Sequence, residues 1–278
     1  MKLVKQSIEI INNSETHNID DIYKAIEMAG RTCYKSENNI TSTSSKTFVE
    51  MLKNNGHGAM LEHGTVYLYI PEWKAYKYAI NKYSKVNTQF DAKDFESYYK
   101  VYVTSNYRVL FENDWLDDLE YICEPTQYHE KRISVRATIP IGISREFIRH
   151  RSMSFAEMST RYCNFSKDKF NNCIEFVEPN WFSSCTDTEA KDLFIQNCIQ
   201  SEYNYMELIK SGLKPQEARD VLPLSTKTEL IITGFVSDWE SIFNLRCAKS
   251  AHPMAQEVAN LIKNEFIKNK FIEEKIAS

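Results

Sequence analysis

The residues from Arg149 to Tyr162 form the part of the chain that is best equipped for chemistry. The run reads Arg-His-Arg-Ser-Met-Ser-Phe-Ala-Glu-Met-Ser-Thr-Arg-Tyr, with three arginines, one histidine and one carboxylate. These positive charges repel one another unless an anion neutralises them. The planar fork of arginine matches phosphate or carboxylate oxygens two at a time. Phosphate is therefore the first ligand to consider.

The second half of this run predicts the start of a helix. Ser154 followed by Glu157 fits a capping box, and the free N–H groups at a helix start favour an anion. On that geometry Glu157 and Arg161 share a face and could form a pair. Two plainer interpretations stay open: residues 149–151 as a solvated basic turn or nucleic-acid patch, and Glu157 with Arg161 as an ordinary surface pair.

The composition restricts the class of ligand. The chain has 278 residues, 42% of them hydrophobic, which suffices for one large domain or two small ones with a substantial core. Its charged fraction is 26% and its formal net charge is −4. Because a general nucleic-acid binder is usually basic overall, a local basic pocket in an acidic protein suits a small anionic ligand better.

Expectations about location rest on segments that the sequence does not contain. No stretch approaches the roughly 20 apolar residues of a membrane span, and residues 1–11 do not follow a signal-peptide pattern. The seven cysteines are odd in number and include no C-x-x-C pair. We therefore expect reduced thiols in a cytoplasmic protein, and no metal site.

Hydrophobic periodicity predicts the elements that must position these residues. Apolar runs predict strands over 4–11, 64–70, 132–139, 173–177 and 228–236. Helical spacing predicts helices around 19–29 and 48–54, over 187–211 and 215–222, after 238, and from 253 onward. No internal repeat or low-complexity linker separates these elements.

A second group of polar residues lies between His57 and His63, which flank a Gly-Ala-Met-Leu-Glu stretch. The two histidines are six residues apart, which is not the spacing of one helical face, so a metal site is disfavoured. The residues leave two other interpretations open. The histidines either cap a helix or lie in the core, or they line a ligand pocket.

Four segments, taken in order, resemble the flavin-dependent thymidylate synthases. The Arg-His-Arg run, seven further residues, Ser159 and then Arg161 with Tyr162 resemble the signature of that family. Residues 56–63 resemble its Gly-His-x-(Ser/Thr)-x-x-Glu-His segment, 218–223 its Ala-Arg-x-x-Leu-Pro segment, and 244–246 its Asn-Leu-Arg. Arg219 in the third segment and Arg246 in the fourth are 27 residues apart, which looks like the family's spacing.

The resemblance implies a single catalytic domain over 1–278 with an α+β fold, in which a small antiparallel sheet packs with helices. It implies a homotetramer with shared active sites, and neither a membrane nor a nucleic acid as partner. The implied reaction is methylation of deoxyuridine monophosphate (dUMP) to thymidylate (dTMP). Methylenetetrahydrofolate would donate the carbon, NADPH would be the reductant, and FAD would carry the hydride.

The resemblance also implies roles for individual residues. For catalysis these are Arg246, Glu157 and Arg149, with the Arg246 guanidinium stabilising the anion of the uracil ring. The implied substrate-binding residues are Glu146, Arg149, Glu157, Met158, Ser159, Thr160, Arg161, Arg219 and Arg246. The implied cofactor-binding residues are His57, Ala59, Arg149, His150, Arg151, Glu157, Phe235, Ser237 and Ser241. No general base is obvious beside Ser159, so we expect that serine to bind ligand only.

The stretch 64–131 departs from the family, in which the Glu-His segment leads through one strand to the Arg-His-Arg run. We interpret it as an inserted, mostly helical subdomain with a small core of its own. A surface on which bases or folate stack is the alternative. Its many aromatic residues include Trp73, Tyr76, Tyr78, Tyr83, Phe90, Phe95, Tyr98, Tyr99, Tyr102, Tyr107, Phe111, Trp115 and Tyr121.

Single positions depart from the family as well. Ala59 and Ala156 stand where it usually has a hydroxyl residue and Asn, while Phe235, Ser237 and Ser241 stand where Asn, Arg and Asn are common. The nucleotide half therefore matches better than the flavin half. Two alternatives stay open: a flavin enzyme that modifies C5 of another pyrimidine nucleotide, for example by hydroxymethylation, or a non-enzymatic nucleotide- or RNA-binding relative.

Overall fold

The computed structural model describes residues 1–11, 17–90 and 99–273. The strands are β1 (Lys2–Val4), β2 (Ser7–Ile11), β3 (Thr65–Ile70), β4 (Lys85–Phe90), β5 (Tyr99–Asn106), β6 (Arg132–Pro140), β7 (Ser154–Glu157), β8 (Glu175–Val177) and β9 (Lys227–Phe235). The α-helices are α1 (Ile19–Tyr34), α2 (Ser44–Asn54), α3 (Gly58–Leu61), α4 (Glu72–Ala79), α5 (Tyr107–Glu112), α6 (Ile141–Phe147), α7 (Thr188–Lys210), α8 (Pro215–Ala218), α9 (Val236–Arg246) and α10 (Pro253–Lys268). Helices packed against small antiparallel sheets confirm the α+β class.

The central sheet has the strand order β2-β6-β9-β7, and every neighbouring pair is antiparallel. Its longest ladder joins β6 to β9, with a register that runs from Arg132 opposite Phe235 to Pro140 opposite Lys227. All of β9 except its first residue is buried, as expected for a continuous apolar run. The strands predicted over 132–139 and 228–236 are confirmed.

Helices cover both faces of this sheet. On one face α6, α9 and α10 pack over Val135 and Leu230, which are fully buried. On the other face α1 packs Ala29 against Ile231. Burying one aliphatic side chain contributes about 1.5–3 kcal/mol, so both layers stabilise the domain. In the part of the chain that the structure describes, no helix is long and apolar enough to cross a membrane.

The prediction of a helix starting at Ser154 is wrong. Residues 154–157 form β7, the edge strand that pairs with β9 with Glu157 opposite Leu230. Successive side chains of β7 point to opposite faces of the sheet, as in any strand. Phe155 packs in the cluster under α6, whereas Ala156 packs toward α1. A capping-box pattern and a short alternating strand coincide in these four residues. Glu157 and Arg161 therefore do not share a helical face.

The turn before β7 is held close to the sheet by a glycine. A Cβ atom built on Gly234 would meet the sulfur of Met153. With glycine at this position, the Met153 side chain of the turn packs directly on the backbone at the end of β9.

The expectation of a mostly helical segment over 64–131 is also corrected. Its centre is a three-stranded antiparallel sheet in the order β3-β5-β4, flanked by α4, α5 and a 3-10 helix at Leu116–Tyr121. Tyr78 and Tyr107 are fully buried, but Trp73 and Tyr76 are more than 70% exposed. The buried side chains pack with residues of α1 and α2, so the core is shared with the rest of the chain. Phe95 and Tyr98 lie outside the described residues.

His63 ties the end of α3 to the central sheet. Its Nδ1 lies 2.8 Å from Thr233 Oγ1, which lies 2.7 Å from Ser134 Oγ. The ring is 2% exposed. Burial, helped by the positive charge of Arg132, lowers the pKa of His63 to about 3. His63 is thus a core histidine, one of the alternatives that the sequence left open.

This burial predicts a specific loss of stability in acid. The unfolded chain protonates the histidine near its ordinary pKa of about 6.5 while the folded state keeps it neutral, so the contribution is complete above about pH 6.5 and falls as pH drops toward the folded pKa. Between about pH 6.5 and about pH 5 the free energy of unfolding should fall by about 2 kcal/mol more in the wild type than in His63→Asn. Urea denaturation at the two pH values measures the difference.

The exposed His57 supplies the control, since His57→Asn should keep the wild-type profile. Equal acid sensitivity of His63→Asn and the wild type would contradict this assignment.

Candidate functional site

Arg246 is fixed where the last turns of α6 and α9 meet. Its Nη1 donates to Glu146 Oε2 at 2.7 Å, its Nη2 donates to the Glu146 carbonyl oxygen at 2.5 Å, and its Nε donates to His150 Nε2 at 3.2 Å. The Arg246 side chain is only 16% exposed. Three directed hydrogen bonds to a partly buried guanidinium give a rigid donor, so the structure brings together three of the predicted residues.

His150 is the acceptor in this group, which requires an unprotonated Nε2. Partial burial and the neighbouring charge of Arg246 both lower the pKa of His150. The flanking arginines point outward: the Arg149 side chain is 71% exposed and only reaches Glu146 at 4.0 Å, and Arg151 is exposed without an ion pair among the described residues. The turn thus presents two guanidinium groups whose charge is largely uncompensated.

Glu157 lies on the α6 side of β7. Burial raises the pKa of its carboxyl, against the opposing influence of the Ser144 and Thr228 hydroxyls and of the charge of Arg145. A carboxyl group with a raised pKa can exchange a proton nearer to neutral pH than an exposed one. No ion pair among the described residues joins it to Arg161.

The second group of predicted residues lies on the loop after β7 and on the turn after α8. Arg219 Nη1 donates to Thr160 Oγ1 at 3.4 Å, and Arg161 Nε donates to Gln216 Oε1 at 3.3 Å. Ser159 is anchored because its backbone N–H donates to the Cys33 carbonyl at 2.9 Å. Met158 is buried and points into the core cluster beneath this loop. Both arginines are exposed and their contacts are to neutral groups, so they remain available to an anion.

The predicted residues of the Glu-His segment lie beside this second group. His57 is an exposed residue before α3, and its Nδ1 lies 3.5 Å from Tyr34 Oη. The ring of Tyr34 in turn lies 5.3 Å from the ring of Tyr162. Ala59 is exposed on α3 and offers no hydroxyl. No described hydrogen bond or ion pair links this region to Arg246.

The three remaining predicted cofactor residues lie at the start of α9. Phe235 is only 4% exposed, and Ser241 is exposed on the second turn. Ser237 Oγ donates to Glu130 Oε1 at 2.5 Å. A buried phenyl ring and a serine already bound to a carboxylate are poor partners for an anion. These positions therefore do not match the anionic half of a dinucleotide.

Two features of this region were missed by the sequence reasoning. Arg132 is a buried arginine at the first residue of β6, and it lines a cavity of about 50 Å³ together with Lys82 and Lys85. A larger, mostly apolar cavity of about 270 Å³ adjoins Glu146. In the sequence, the only sign of the first cavity was Arg132, a charged residue at the start of an apolar strand. Such a residue is too common to indicate a site.

The arrangement of exposed guanidinium groups around a small antiparallel sheet is that of a protein which binds anionic ligands. A family model described as thymidylate synthase complementing protein matches residues 129–269, just over half of the chain. The chain therefore belongs to this family, and the resemblance stated from its motifs is confirmed.

Curated relatives agree with this assignment. The flavin-dependent thymidylate synthase of Synechocystis is 26% identical over 151 residues, covering 49% of this chain and 66% of the relative. A probable flavin-dependent thymidylate synthase of Paramecium bursaria Chlorella virus 1 is 30% identical over 134 residues, covering 46% and 62%. The enzyme of Pyrococcus furiosus is 26% identical over 179 residues, covering 62% and 70%. The chain thus spans somewhat less than two thirds of the first two relatives.

The contact between Arg246 and His150 gives a prediction that needs no substrate. Replacing Arg246 by Ala removes one of the two causes that lower the pKa of His150, so this pKa should rise toward its ordinary value. Arg145→Ala, at an exposed arginine of α6, should leave the pKa of His150 unchanged. Imidazole proton shifts followed by NMR through a pH titration measure both, and an identical His150 titration in wild type and Arg246→Ala would disprove the contact.

Proposed function

We propose that this protein is a flavin-dependent thymidylate synthase, which methylates dUMP at C5 of the uracil to give dTMP. In this proposal methylenetetrahydrofolate donates the carbon, NADPH is the reductant, and FAD is the cofactor. The observation that carries it is the Arg246 guanidinium, held rigidly by Glu146 and His150 beside the open Arg149–Arg151 turn.

Arg246 is the residue that we assign to the uracil. A guanidinium beside N3 and its neighbouring carbonyl stabilises negative charge on the ring and so makes C5 more nucleophilic. Because Glu146 and His150 already fix the guanidinium, little reorganisation is needed when the ring charge develops. We assign Glu157, whose carboxyl has a raised pKa, to the contact between base and cofactor.

The phosphate of dUMP is assigned to the second group of residues. Arg161 and Arg219 are exposed and hydrogen-bonded only to neutral partners, so a phosphate would add charge-assisted bonds without breaking an ion pair. Ser159 lies two residues from Arg161, with its hydroxyl accepting from the Arg161 N–H at 3.3 Å. Met158 and Thr160 complete the binding loop.

The residues that would hold FAD fit the group in part. Arg149 and Arg151 present open, largely uncompensated guanidinium groups that suit the pyrophosphate. His150 lies between them, and His57 belongs to the separate segment before α3. When bound, the flavin supplies the hydride that completes the methyl group. The chain's contribution is orientation and charge.

A homotetramer with shared sites is part of the proposal. Among the described residues no hydrogen bond or ion pair connects the Arg246 group with the Arg161–Arg219 group, although both are assigned to one nucleotide. A site completed by a second copy of the chain accounts for this separation.

A related flavin enzyme that hydroxymethylates C5 of a pyrimidine nucleotide is the second candidate. The lack of a hydroxyl at Ala59 and the apolar Phe235 favour it, since both alter the surroundings of the cofactor. Product mass distinguishes the two when dUMP, methylenetetrahydrofolate, FAD and NADPH are supplied. We expect dTMP. A hydroxymethylated product, or no conversion with flavin bound, would refute the leading proposal.

Shared sites predict complementation between inactive variants. Arg246→Ala should abolish turnover while retaining flavin, because the ring anion loses its partner, and Arg219→Ala should mainly weaken dUMP binding. When the two variants are mixed, unfolded and refolded together, some sites receive both wild-type arginines and activity should return in part. Each variant refolded alone is the control, at a dUMP concentration low enough that Arg219→Ala by itself is nearly inactive. No recovery in mixed oligomers would contradict shared sites.

A further inference from the structure

The cavity beside β6 is a basic pocket with an aromatic rim. Its cations are Arg132 at the start of β6 and Lys82 and Lys85 at the start of β4, and Tyr83 and Phe235 are its aromatic residues. Ser152 and Ser154 from the turn after the Arg-His-Arg run also line it. The pocket therefore joins the segment 64–131 to the signature run.

Arg132 places an unneutralised charge at the bottom of this pocket. The residue is 3% exposed, and its guanidinium donates to the Glu62 carbonyl oxygen at 3.0 Å, to Thr65 Oγ1 at 3.3 Å and to Ser154 Oγ at 3.2 Å. These acceptors are all neutral. No described carboxylate lies within 4.0 Å of it. A buried charge without a counterion is costly, so an anion that enters the pocket is favoured.

Burial lowers the pKa of Arg132 to about 10, which still leaves the group charged at neutral pH. The two carboxylates that line the pocket offset this charge only in part. Glu62 is bound by Arg108 at 2.6 Å, so its charge is already compensated. Asp238 is too distant for an ion pair with Arg132 among the described contacts.

The two lysines bring further positive charge to the same place. Lys85 Nζ and the Arg132 guanidinium each lie 5.6 Å from the centre of the Phe235 ring. Lys82 Nζ lies 4.7 Å from the centre of the Tyr83 ring. A volume of about 50 Å³ holds about three to five waters, which is the size of a single phosphoryl group. The exposed Tyr83 ring at the rim suits a flat base.

The pocket lies next to the positions that depart from the family. Phe235 lines it without a polar atom, and Ser237 is engaged with Glu130. The start of α9 therefore lacks positive charge, and Lys82, Lys85 and Arg132 supply it within the same pocket.

We propose that these three cations bind a phosphoryl group of the dinucleotide cofactor, with its base against Tyr83. The proposal rests on the proposed function for the identity of that cofactor as FAD. It gives the segment 64–131 a role as a supplier of cofactor affinity, in addition to its packing against α1 and α2.

The test is the double variant Lys82→Gln/Lys85→Gln, in which both changes are at exposed side chains. Binding of ADP and FAD should weaken about tenfold, because two charge-assisted contacts are lost at a partly exposed site, and about 1.4 kcal/mol corresponds to that factor. Binding of riboflavin, which has no phosphate, should be unchanged. Lys210→Gln/Lys268→Gln removes the same charge at two distant exposed lysines and should leave all three affinities unchanged.

Calorimetry with ADP tests the pocket independently of the proposed function. Unchanged ADP and FAD affinities in Lys82→Gln/Lys85→Gln would overturn the pocket while the enzyme assignment stands. Absence of ADP binding to the wild type would also overturn it. If the wild type binds ADP through these lysines but binds no flavin, the pocket stands and the proposed function fails. A parallel loss of dUMP affinity would assign the pocket to the substrate and refute the dinucleotide.

Discussion

The burial of the β6–β9 ladder on both faces is the constraint on which the rest of the structure depends. Nine residue pairs join these strands, and all but three of their eighteen residues are buried. The middle of this sheet carries mostly apolar side chains, and its few buried polar groups, such as Ser134 and Thr233, are hydrogen-bonded to each other. The Arg-His-Arg turn, the last turn of α9 and the start of β6 lie where strands and helices end, and each carries an arginine.

Charge compensation distinguishes these arginines and is the basis of the roles that we propose for them. Arg246 has a carboxylate partner and is rigid, which suits a donor that must meet charge as it develops. Arg161 and Arg219 have only neutral partners and are exposed, which suits the capture of a phosphate that arrives with its own charge. Arg132 is buried with neutral partners alone. One residue type thus gives three kinds of site, and burial together with the partner decides which.

Sequence periodicity predicted the central strands and most helices because their apolar patterns are long and each face is buried. It failed at Ser154–Glu157, where four residues fit a capping box and an alternating strand equally well, and only pairing with β9 decides between them. It also failed for the segment 64–131, since β3 and β5 pair across about 36 residues of chain and local spacing does not encode that contact. The pocket around Arg132 joins three distant stretches and had no local signature.

We propose that this chain passes reducing equivalents through a flavin to a nucleotide carbon. The most direct measurement is the visible absorbance of the flavin-loaded protein under anaerobic conditions. One equivalent of NADPH should bleach the flavin bands, and they should return only when both dUMP and methylenetetrahydrofolate are added, because the hydride then leaves the flavin for the methyl group. A reduced flavin that stays bleached with both substrates present, or that is reoxidised equally well without dUMP, would contradict the claim.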